Sequence, residues 1–238
     1  MKMRHLNKQQ LLLNFEPKLD AQLSDFAGPG WSPIVSAIYD LLTGTHERCF
    51  VYGEPDTGKT HLLSAACQVY AEQDFATIFL SLRELIQTNT PNCLESLEHY
   101  HLIALDDIEV INGHIDWQEA LFHLLNRAAN NETRLLLAAR QRPAELGLAL
   151  PDLVSRLNQA ACFSVPNGDN NTDREALLLA TLERRHLTIE PEVVLYLLHH
   201  GPQRVGALLK YLNFLENSAL QQQKHLTLNF VKNFTKSA

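Results

Sequence analysis

An octapeptide in the first third of the chain has the residue types and the spacing that bind phosphate. Residues 53–60 follow the pattern G-x-x-x-x-G-K-[ST], an apolar run precedes them, and the segment after them has helical character. In this order the glycines let backbone N–H groups turn inward around a phosphate, and the N-terminus of the helix adds a favourable dipole. Lys59 would reach the β- and γ-phosphates, and Thr60 would offer its hydroxyl to Mg²⁺. We therefore predict that a nucleotide is bound by Gly53, Glu54, Pro55, Asp56, Thr57, Gly58, Lys59, Thr60 and His61.

A second candidate is a pair of carboxylates at the end of an apolar run. Residues 101–107 predict a buried strand that ends in the two carboxylates Asp106 and Asp107, in the form of a Walker B segment. A parallel strand presents its last residues at the carboxyl edge of the sheet, where Mg²⁺ on a nucleotide would lie. We assign Asp106 to the metal and Asp107 to orienting the attacking water. An Asp that merely ends a strand before a turn is the alternative, and the phosphate loop upstream favours the metal site.

Arg204 is a further candidate for contact with the nucleotide. It lies in the first turn of a predicted helix that Gly201 and Pro202 begin. A cation at that position opposes the helix dipole, which costs about 0.3–1 kcal/mol. A nearby anion would remove the cost, and a nucleotide phosphate is the natural candidate, with a neighbouring Asp or Glu as the alternative.

Apolar runs that alternate with amphipathic segments predict the elements that position these residues. The predicted strands are 49–52, 76–80, 101–107, 135–139 and 162–165. The predicted helices between them are 32–42, with Ser32 as N-cap, then 61–72, a weak and broken one over 83–98, 117–129 and 151–157. Such alternation predicts a parallel sheet with helices on both faces.

The last third of the chain predicts helices only. Thr172 as N-cap and Glu175 three residues later form a capping box that begins a helix to about residue 185. Further helices are predicted at 192–200, 204–222 and 228–234. The predicted fold is α/β, a P-loop NTPase core with a five-stranded parallel sheet plus a small all-helical lid domain. Its predicted parts are a tail (1–22), a nucleotide-binding domain (23–168) and the lid (169–238).

Composition narrows the class of protein. The chain has 238 residues and 45% hydrophobic content, enough for one core and a small satellite domain. Its net charge of −7, without a cluster of Lys and Arg, disfavours direct DNA binding, so DNA would be reached only through a partner. There is no apolar run near 18 residues, no signal-peptide pattern, and no C-x-x-C spacing among the four cysteines. We expect a cytoplasmic protein, no membrane contact, and buried, inert thiols.

An apolar hexad interrupts the polar N-terminal tail. Residues 10–15 read Gln-Leu-Leu-Leu-Asn-Phe and are followed by Pro17. A segment that folds back onto its own domain is one interpretation. A linear motif that docks in a groove of another protein is the other.

Taken together, these motifs resemble those of AAA+ proteins and, in detail, of the DnaA/Hda family of bacterial replication proteins. Residues 106–109, Asp-Asp-Ile-Glu, are similar to the end of Walker B in that family, where most AAA+ proteins have Asp-Glu. Residues 150–157 look like the family's box that carries an arginine finger, and residues 172–179 resemble the start of the helix that follows it. Residues 10–15 are similar to the Q-L-x-L-x-[LF] hexapeptide that binds the sliding clamp. The resemblance covers residues 10–234, too few for the additional N-terminal and DNA-binding domains of a full initiator.

The resemblance implies a regulatory inactivator of the replication initiator DnaA. Such a protein binds ADP or ATP with Mg²⁺, docks on the sliding clamp, and stimulates hydrolysis of the ATP on DnaA, which prevents over-initiation. Arg156 would be the catalytic finger supplied to DnaA, with a surface arginine paired to Asp152 as the alternative. Arg204 would contact the nucleotide from the lid, and the clamp would be bound by Gln10, Leu11, Leu13 and Phe15. The alternative function is a DnaC-type helicase loader or another AAA+ ATPase acting as a homo-oligomer; the oligomeric state, a homodimer included, is left open.

Two departures from the family pattern affect the chemistry. Ala139 and Arg140 stand where the family has a polar residue after the fourth strand, and Asp107 replaces the usual catalytic Glu. The shorter side chain moves the carboxylate by about 1 Å, and such misplacement can cost about 100-fold in rate. We therefore expect weak or no ATPase activity from the protein alone.

Overall fold

Five short apolar runs form one parallel sheet in the computed structural model, which describes residues 21–235. The sheet has the order β2-β3-β4-β1-β5, and its strands are β1 (Arg48–Tyr52), β2 (Thr77–Ser81), β3 (Leu102–Asp106), β4 (Arg134–Ala139) and β5 (Ala161–Ser164). The predicted five-stranded parallel sheet is confirmed, with strand ends displaced by at most one residue. In the parallel register Tyr52 of β1 pairs with Ala139 of β4, and Ser81 of β2 pairs with Asp106 of β3. The carboxyl ends of these four strands therefore meet at one edge of the sheet.

Helices cover both faces of the sheet because successive strand residues point to opposite sides. On β1, Cys49 and Val51 enter the apolar cluster on one face, and Phe50 enters the cluster on the other. The helices of this part are α1 (Ser32–Thr43), α2 (Lys59–Ala71), α3 (Leu82–Thr88), α4 (Ile115–Asn130) and α5 (Pro151–Leu157). Short 3₁₀ turns lie at 23–25, 91–94, 97–99, 108–111 and 143–145.

Four helices form the lid. They are α6 (Asn171–Arg184), α7 (Pro191–His200), α8 (Val205–Gln221) and α9 (Leu228–Thr235), and they share an apolar cluster of their own. Leu177 of α6 and Val205 and Leu209 of α8 instead join the cluster of the α/β core. The lid is therefore packed directly on the core, next to the helix that follows the phosphate loop.

The segment before α1 is fastened to the lid. The carboxylate of Asp25 is almost fully buried and accepts from Nε of Arg184 at 2.7 Å. Near the other end of the same helix, the backbone N–H of Gly30 donates to Oδ1 of Asp173 at 2.9 Å. Residues 21–31 thus form a strap that connects the core to α6.

Two predicted helix starts are wrong. The N-cap of α1 is Trp31, not Ser32, because the backbone is already helical at Trp31 and the N–H of Ser32 already donates to the carbonyl of Gly28. The N-cap of α6 is Asn170, not Thr172, since the side chain of Asn170 accepts from the backbone N–H of Thr172 at 2.9 Å.

The prediction of buried cysteines holds for only part of the set. Cys49 and Cys67 are buried, and burial raises the pKa of each thiol to about 12. Cys162 is exposed because β5 is an edge strand of the sheet. Within residues 21–235, no helix combines the length and the apolar character needed to cross a membrane.

Candidate nucleotide-binding site

The phosphate loop connects β1 to α2 and is closed around a lysine. Lys59 is buried, and its ammonium donates to the backbone carbonyls of Gly53 at 2.6 Å and Glu54 at 2.8 Å. Gly58 is the N-cap of α2 and has φ 98°, in the left-handed region that favours glycine. Burial lowers the pKa of Lys59, while the carboxylate of Asp106 opposes that shift. The loop therefore places a cation next to the N-terminus of α2.

Thr60 and Asp106 meet at the carboxyl edge of the sheet. Oγ1 of Thr60 donates to Oδ2 of Asp106 at 2.5 Å, and the second carboxylate oxygen accepts from the backbone N–H of Asp107 at 2.8 Å. Burial raises the pKa of Asp106 to about 6. Mg²⁺ prefers oxygen ligands and binds through one or two protein groups plus phosphate and water. A hydroxyl and a carboxylate side by side fit that requirement.

Asp107 is engaged on both carboxylate oxygens. Its backbone is left-handed, with φ 60°, and its side chain accepts from Nη2 of Arg83 at 3.0 Å and from Oγ of Ser81 at 3.2 Å. Glu109 extends the network, because it lies 3.2 Å from Arg83 and 3.0 Å from Nε of Arg140. Each oxygen of the Asp107 carboxylate thus accepts one hydrogen bond, and the side chain is held against β2 and α3. Its role in orienting water stays a prediction.

Helix α8 of the lid touches the phosphate loop through backbone and side chains. The N–H of Gly206 donates to the carbonyl of Asp56 at 2.8 Å, and Nζ of Lys210 lies 2.6 Å from Oδ1 of the same residue. Arg204 is the N-cap of α8 rather than a residue of its first turn, and Nη1 donates to the carbonyl of Pro55 at 2.6 Å. The carboxylate of Glu54 lies 3.8 Å from the same nitrogen, so a neighbouring Glu, the alternative to a nucleotide phosphate, is present beside Arg204.

A cavity of about 210 Å³ remains between the loop and the lid. Its lining consists of Asp56, Gly58, Lys59, Thr60, His61, Gly206 and Lys210. His61 is buried, and within residues 21–235 its Nε2 has no hydrogen-bond partner. Burial lowers the pKa of His61 to about 4, and Lys210 adds to the shift. The structure thus assembles the predicted phosphate-binding residues and adds a lid cation that sequence reasoning missed.

Arg156 lies away from this site. It belongs to the last turn of α5, not to the segment after it, and is partly exposed, with Nη1 3.4 Å from Oε1 of Gln159. The same oxygen accepts from Nη1 of Arg48 at 3.0 Å. Arg48 begins β1 and the phosphate loop follows its last residue, a separation of four residues or about 13 Å at 3.3 Å per residue. The structure therefore does not bring Arg156 to the chain's own phosphate loop. The predicted clamp residues Gln10, Leu11, Leu13 and Phe15 lie outside the described residues.

The family model for the bacterial DnaA ATPase domain matches residues 34–163. The chain belongs to the DnaA family. The relationship continues into the lid, because the family model for the Hda lid domain matches residues 171–235. The chain is thus a DnaA-related AAA+ protein of DNA replication with an Hda-type lid, and the predicted AAA+ core and helical lid are confirmed.

Individual solved structures share the fold of this chain, and one curated relative aligns with nearly all of it. Domain III of the replication initiation protein DnaA from Thermotoga maritima has a TM-score of 0.75 at 18% identity, over 91% of this chain and 95% of that one. AMPPCP-bound DnaA from Aquifex aeolicus has a TM-score of 0.67 at 24% identity, over 82% of this chain and 64% of that one. An uncharacterized protein of Haemophilus influenzae is 30% identical over 229 residues, which are 95% of this chain and 98% of the relative.

Proposed function

We propose that this DnaA-family protein is a regulatory inactivator of DnaA in the cytoplasm. It holds ADP or ATP with Mg²⁺, docks on the sliding clamp through its N-terminal tail, and presents Arg156 to ATP-bound DnaA. The initiator then hydrolyses its ATP and is switched off, so over-initiation is prevented. The observation that carries the proposal is the position of Arg156, on the surface of α5 and away from the chain's own phosphate loop.

Nucleotide binding is supported by the closed phosphate loop and the cavity beside it. Lys59, Thr60 and Asp106 stand where phosphate and Mg²⁺ would need them. The structure of a DnaA of similar fold is bound to AMPPCP, which supports nucleotide binding by this fold. When bound, Mg²⁺ would neutralise phosphate charge, and Thr60 and Asp106 would hold it.

The nucleotide is proposed to be kept rather than turned over. Arg83 and Ser81 occupy both carboxylate oxygens of Asp107, and Arg140 stands after β4 in an ion pair with Glu109. These contacts hold the Asp107 carboxylate to Arg83 and Ser81, which competes with its use in orienting an attacking water. Binding without rapid hydrolysis would keep the lid and the core in one arrangement, which suits an adaptor better than a motor.

Arg156 has the properties of a finger supplied in trans. Its guanidinium is held only loosely by Gln159, and it projects from a short helix near the edge strand β5. An arginine supplied by a neighbouring subunit neutralises charge on the transferring phosphoryl group and is worth roughly 10³–10⁵ in rate in GTPases. A planar guanidinium also matches phosphate oxygens in a way that a lysine cannot.

The tail is proposed to bring the protein to the clamp through Gln10, Leu11, Leu13 and Phe15. The strap that follows the tail is well anchored, since Ala21, Leu23 and Phe26 are buried in the core cluster. A partner held by residues 10–15 would therefore be tied closely to the core and to α6. DNA would be contacted only through the clamp and the initiator.

The test is a reconstitution with purified initiator carrying labelled ATP. This protein, the clamp and DNA are added singly and together, and ATP hydrolysis is followed. We expect stimulation only with all three, and its loss in the Gln10→Ala, Leu13→Ala double variant, which should fold and bind ADP as the parent does. Rapid ATP turnover by the protein alone, or turnover stimulated by a replicative helicase, would instead favour the loader.

A further inference from the structure

The phosphate loop of this chain carries two carboxylates, and the lid places one cation near each of them. Glu54 and Asp56 lie within the eight residues that would surround a phosphate, where a negative charge opposes binding. Lys210 is 2.6 Å from Oδ1 of Asp56, and Arg204 is 3.8 Å from Oε2 of Glu54. The hydrogen bond from Lys210 is the main reason that the pKa of Asp56 is lowered. Asp56 therefore stays anionic beside the site.

Lys210, rather than Arg204, is the lid cation at the cavity. It lines the 210 Å³ space together with Lys59, Thr60 and His61, whereas the guanidinium of Arg204 is directed at the carbonyl of Pro55. Gly206 and Lys210 are four residues apart and so lie on one face of α8. A Cβ on Gly206 would lie only 2.8 Å from the carbonyl oxygen of Asp56, so the glycine is what allows this face to reach the loop.

The ion pair between Lys210 and Asp56 is exposed and therefore weak. The two side chains are 63% and 46% exposed, and pairs of this kind contribute little to folding stability. A nucleotide phosphate carries more charge than a carboxylate and would enter the cavity that Lys210 already lines. Lys210 can thus leave Asp56 and bind the phosphate with little loss of folding stability.

We propose that Lys210 is a phosphate ligand of the bound nucleotide, contributed by the lid, and that Asp56 is its counter-ion when no phosphate is present. The proposal rests on the nucleotide binding proposed above and adds to it a residue of the lid. The lysine exchanges a carboxylate for a phosphate oxygen when nucleotide binds. This side chain therefore links occupancy of the site to the contact of α8 with the loop, beside the hydrogen bonds from Gly206 and Arg204.

The test is calorimetric binding of ADP and of adenosine to matched variants. Lys210→Ala should weaken ADP binding by about tenfold, the scale of one charge-assisted hydrogen bond, and leave adenosine binding unchanged. Lys210→Arg should keep most of the affinity of the parent for ADP, and Lys210→Met should weaken ADP binding as much as Lys210→Ala does. The control is Lys224→Ala, which removes an exposed lid lysine that contacts Gln222, and it should bind ADP as the parent does.

The Asp56→Asn variant distinguishes two roles of Lys210, binding of phosphate and formation of a structural salt bridge. If Lys210 serves phosphate, removing its competing carboxylate should leave ADP affinity equal to that of the parent or raise it. If the pair only fastens the lid, Asp56→Asn and Lys210→Ala should weaken ADP binding equally, and that result would overturn the proposal. Full ADP affinity in Lys210→Ala would overturn it as well.

The Lys59→Ala variant distinguishes failure of this inference from failure of the nucleotide-site assignment. If that variant loses ADP while Lys210→Ala keeps it, only the role of Lys210 is wrong. If Lys59→Ala also binds ADP normally, the nucleotide site itself is misassigned.

Discussion

Gly206→Ala probes the contact between the lid and the phosphate loop without changing a charge. Gly206 lies in the first turn of α8, and its N–H donates to the carbonyl of Asp56. A Cβ at this position would stand 2.8 Å from that oxygen and 3.0 Å from the backbone nitrogen of Gly58, where ordinary contacts begin at 3.4 Å. Both neighbours are backbone atoms, so no change of rotamer can relieve the overlap. Either α8 or the loop has to move by about half an ångström.

Two effects of opposite sign decide the size of the change. Overpacking of a buried contact costs about 1–3 kcal/mol, and the Gly206 hydrogen bond, worth about 1 kcal/mol, would be strained as well. Alanine is favoured over glycine inside a helix by up to about 1 kcal/mol, and by less in the first turn. We therefore expect a net loss of about 1–2 kcal/mol in the free energy of unfolding, together with weaker ADP binding.

Urea unfolding followed by circular dichroism measures the change in stability. The midpoint should fall while the slope with denaturant stays the same, because the surface exposed on unfolding is nearly unchanged. Asn217→Ala is the matched control, since Asn217 is an exposed residue of the same helix and its replacement should change stability by less than about 0.5 kcal/mol. A Gly206→Ala protein that is as stable as the parent, or more stable, would refute the reasoning, because helix propensity would then have outweighed the contact.

Three further predictions concern the site. Lys59→Ala should abolish tight ADP binding in calorimetry, and affinity equal to that of the parent would contradict the phosphate-loop assignment. The parent alone should turn over ATP more slowly than about 1 s⁻¹, and Asp107→Glu combined with Arg140→Asn should raise that rate by up to about 100-fold in a phosphate-release assay; an unchanged rate would show that the departures at Asp107 and Arg140 are not what limits hydrolysis. His61 has a pKa lowered from 6.5 to about 4, so the unfolded chain takes up its proton first as the pH falls. The free energy of unfolding should therefore decrease between pH 6.5 and pH 4 by up to about 3 kcal/mol, and His61→Gln should flatten that part of the profile; equal slopes in the two proteins would argue against a buried, neutral His61.

Much of the fold could be predicted because its signals are local. Apolar runs followed by the phosphate-loop pattern or by paired aspartates predicted β1, β3 and the edge at which they end. The order of strands in the sheet is set by packing between distant segments, and no local pattern specifies it. The helix starts at Trp31 and Asn170 were missed. The backbone is already helical at Trp31, and the side chain of Asn170 caps α6 by accepting from the backbone N–H two residues later.

The candidate site, like the fold, could be predicted only where its residues belong to local motifs. Lys59, Thr60 and Asp106 belong to motifs with fixed spacing, and the structure brings them together. Lys210 contacts Asp56 across 154 positions of sequence, and a lysine in an amphipathic helix carries no sign of its partner. Arg83 was missed for the same reason, since its link to Asp107 depends on β2 and β3 lying next to each other.

Single-turnover hydrolysis of DnaA-bound ATP, with clamp and DNA supplied, tests the central proposal most directly. Arg156→Ala should fold, bind ADP and bind the clamp like the parent, yet lose stimulation of the initiator by roughly 10³-fold or more, and Arg156→Lys should fail as well. Arg48→Ala is the matched control, because Arg48 donates to the same Gln159 oxygen and its loss should leave stimulation intact. Full stimulation by Arg156→Ala would contradict the account, as would an equal loss in Arg48→Ala.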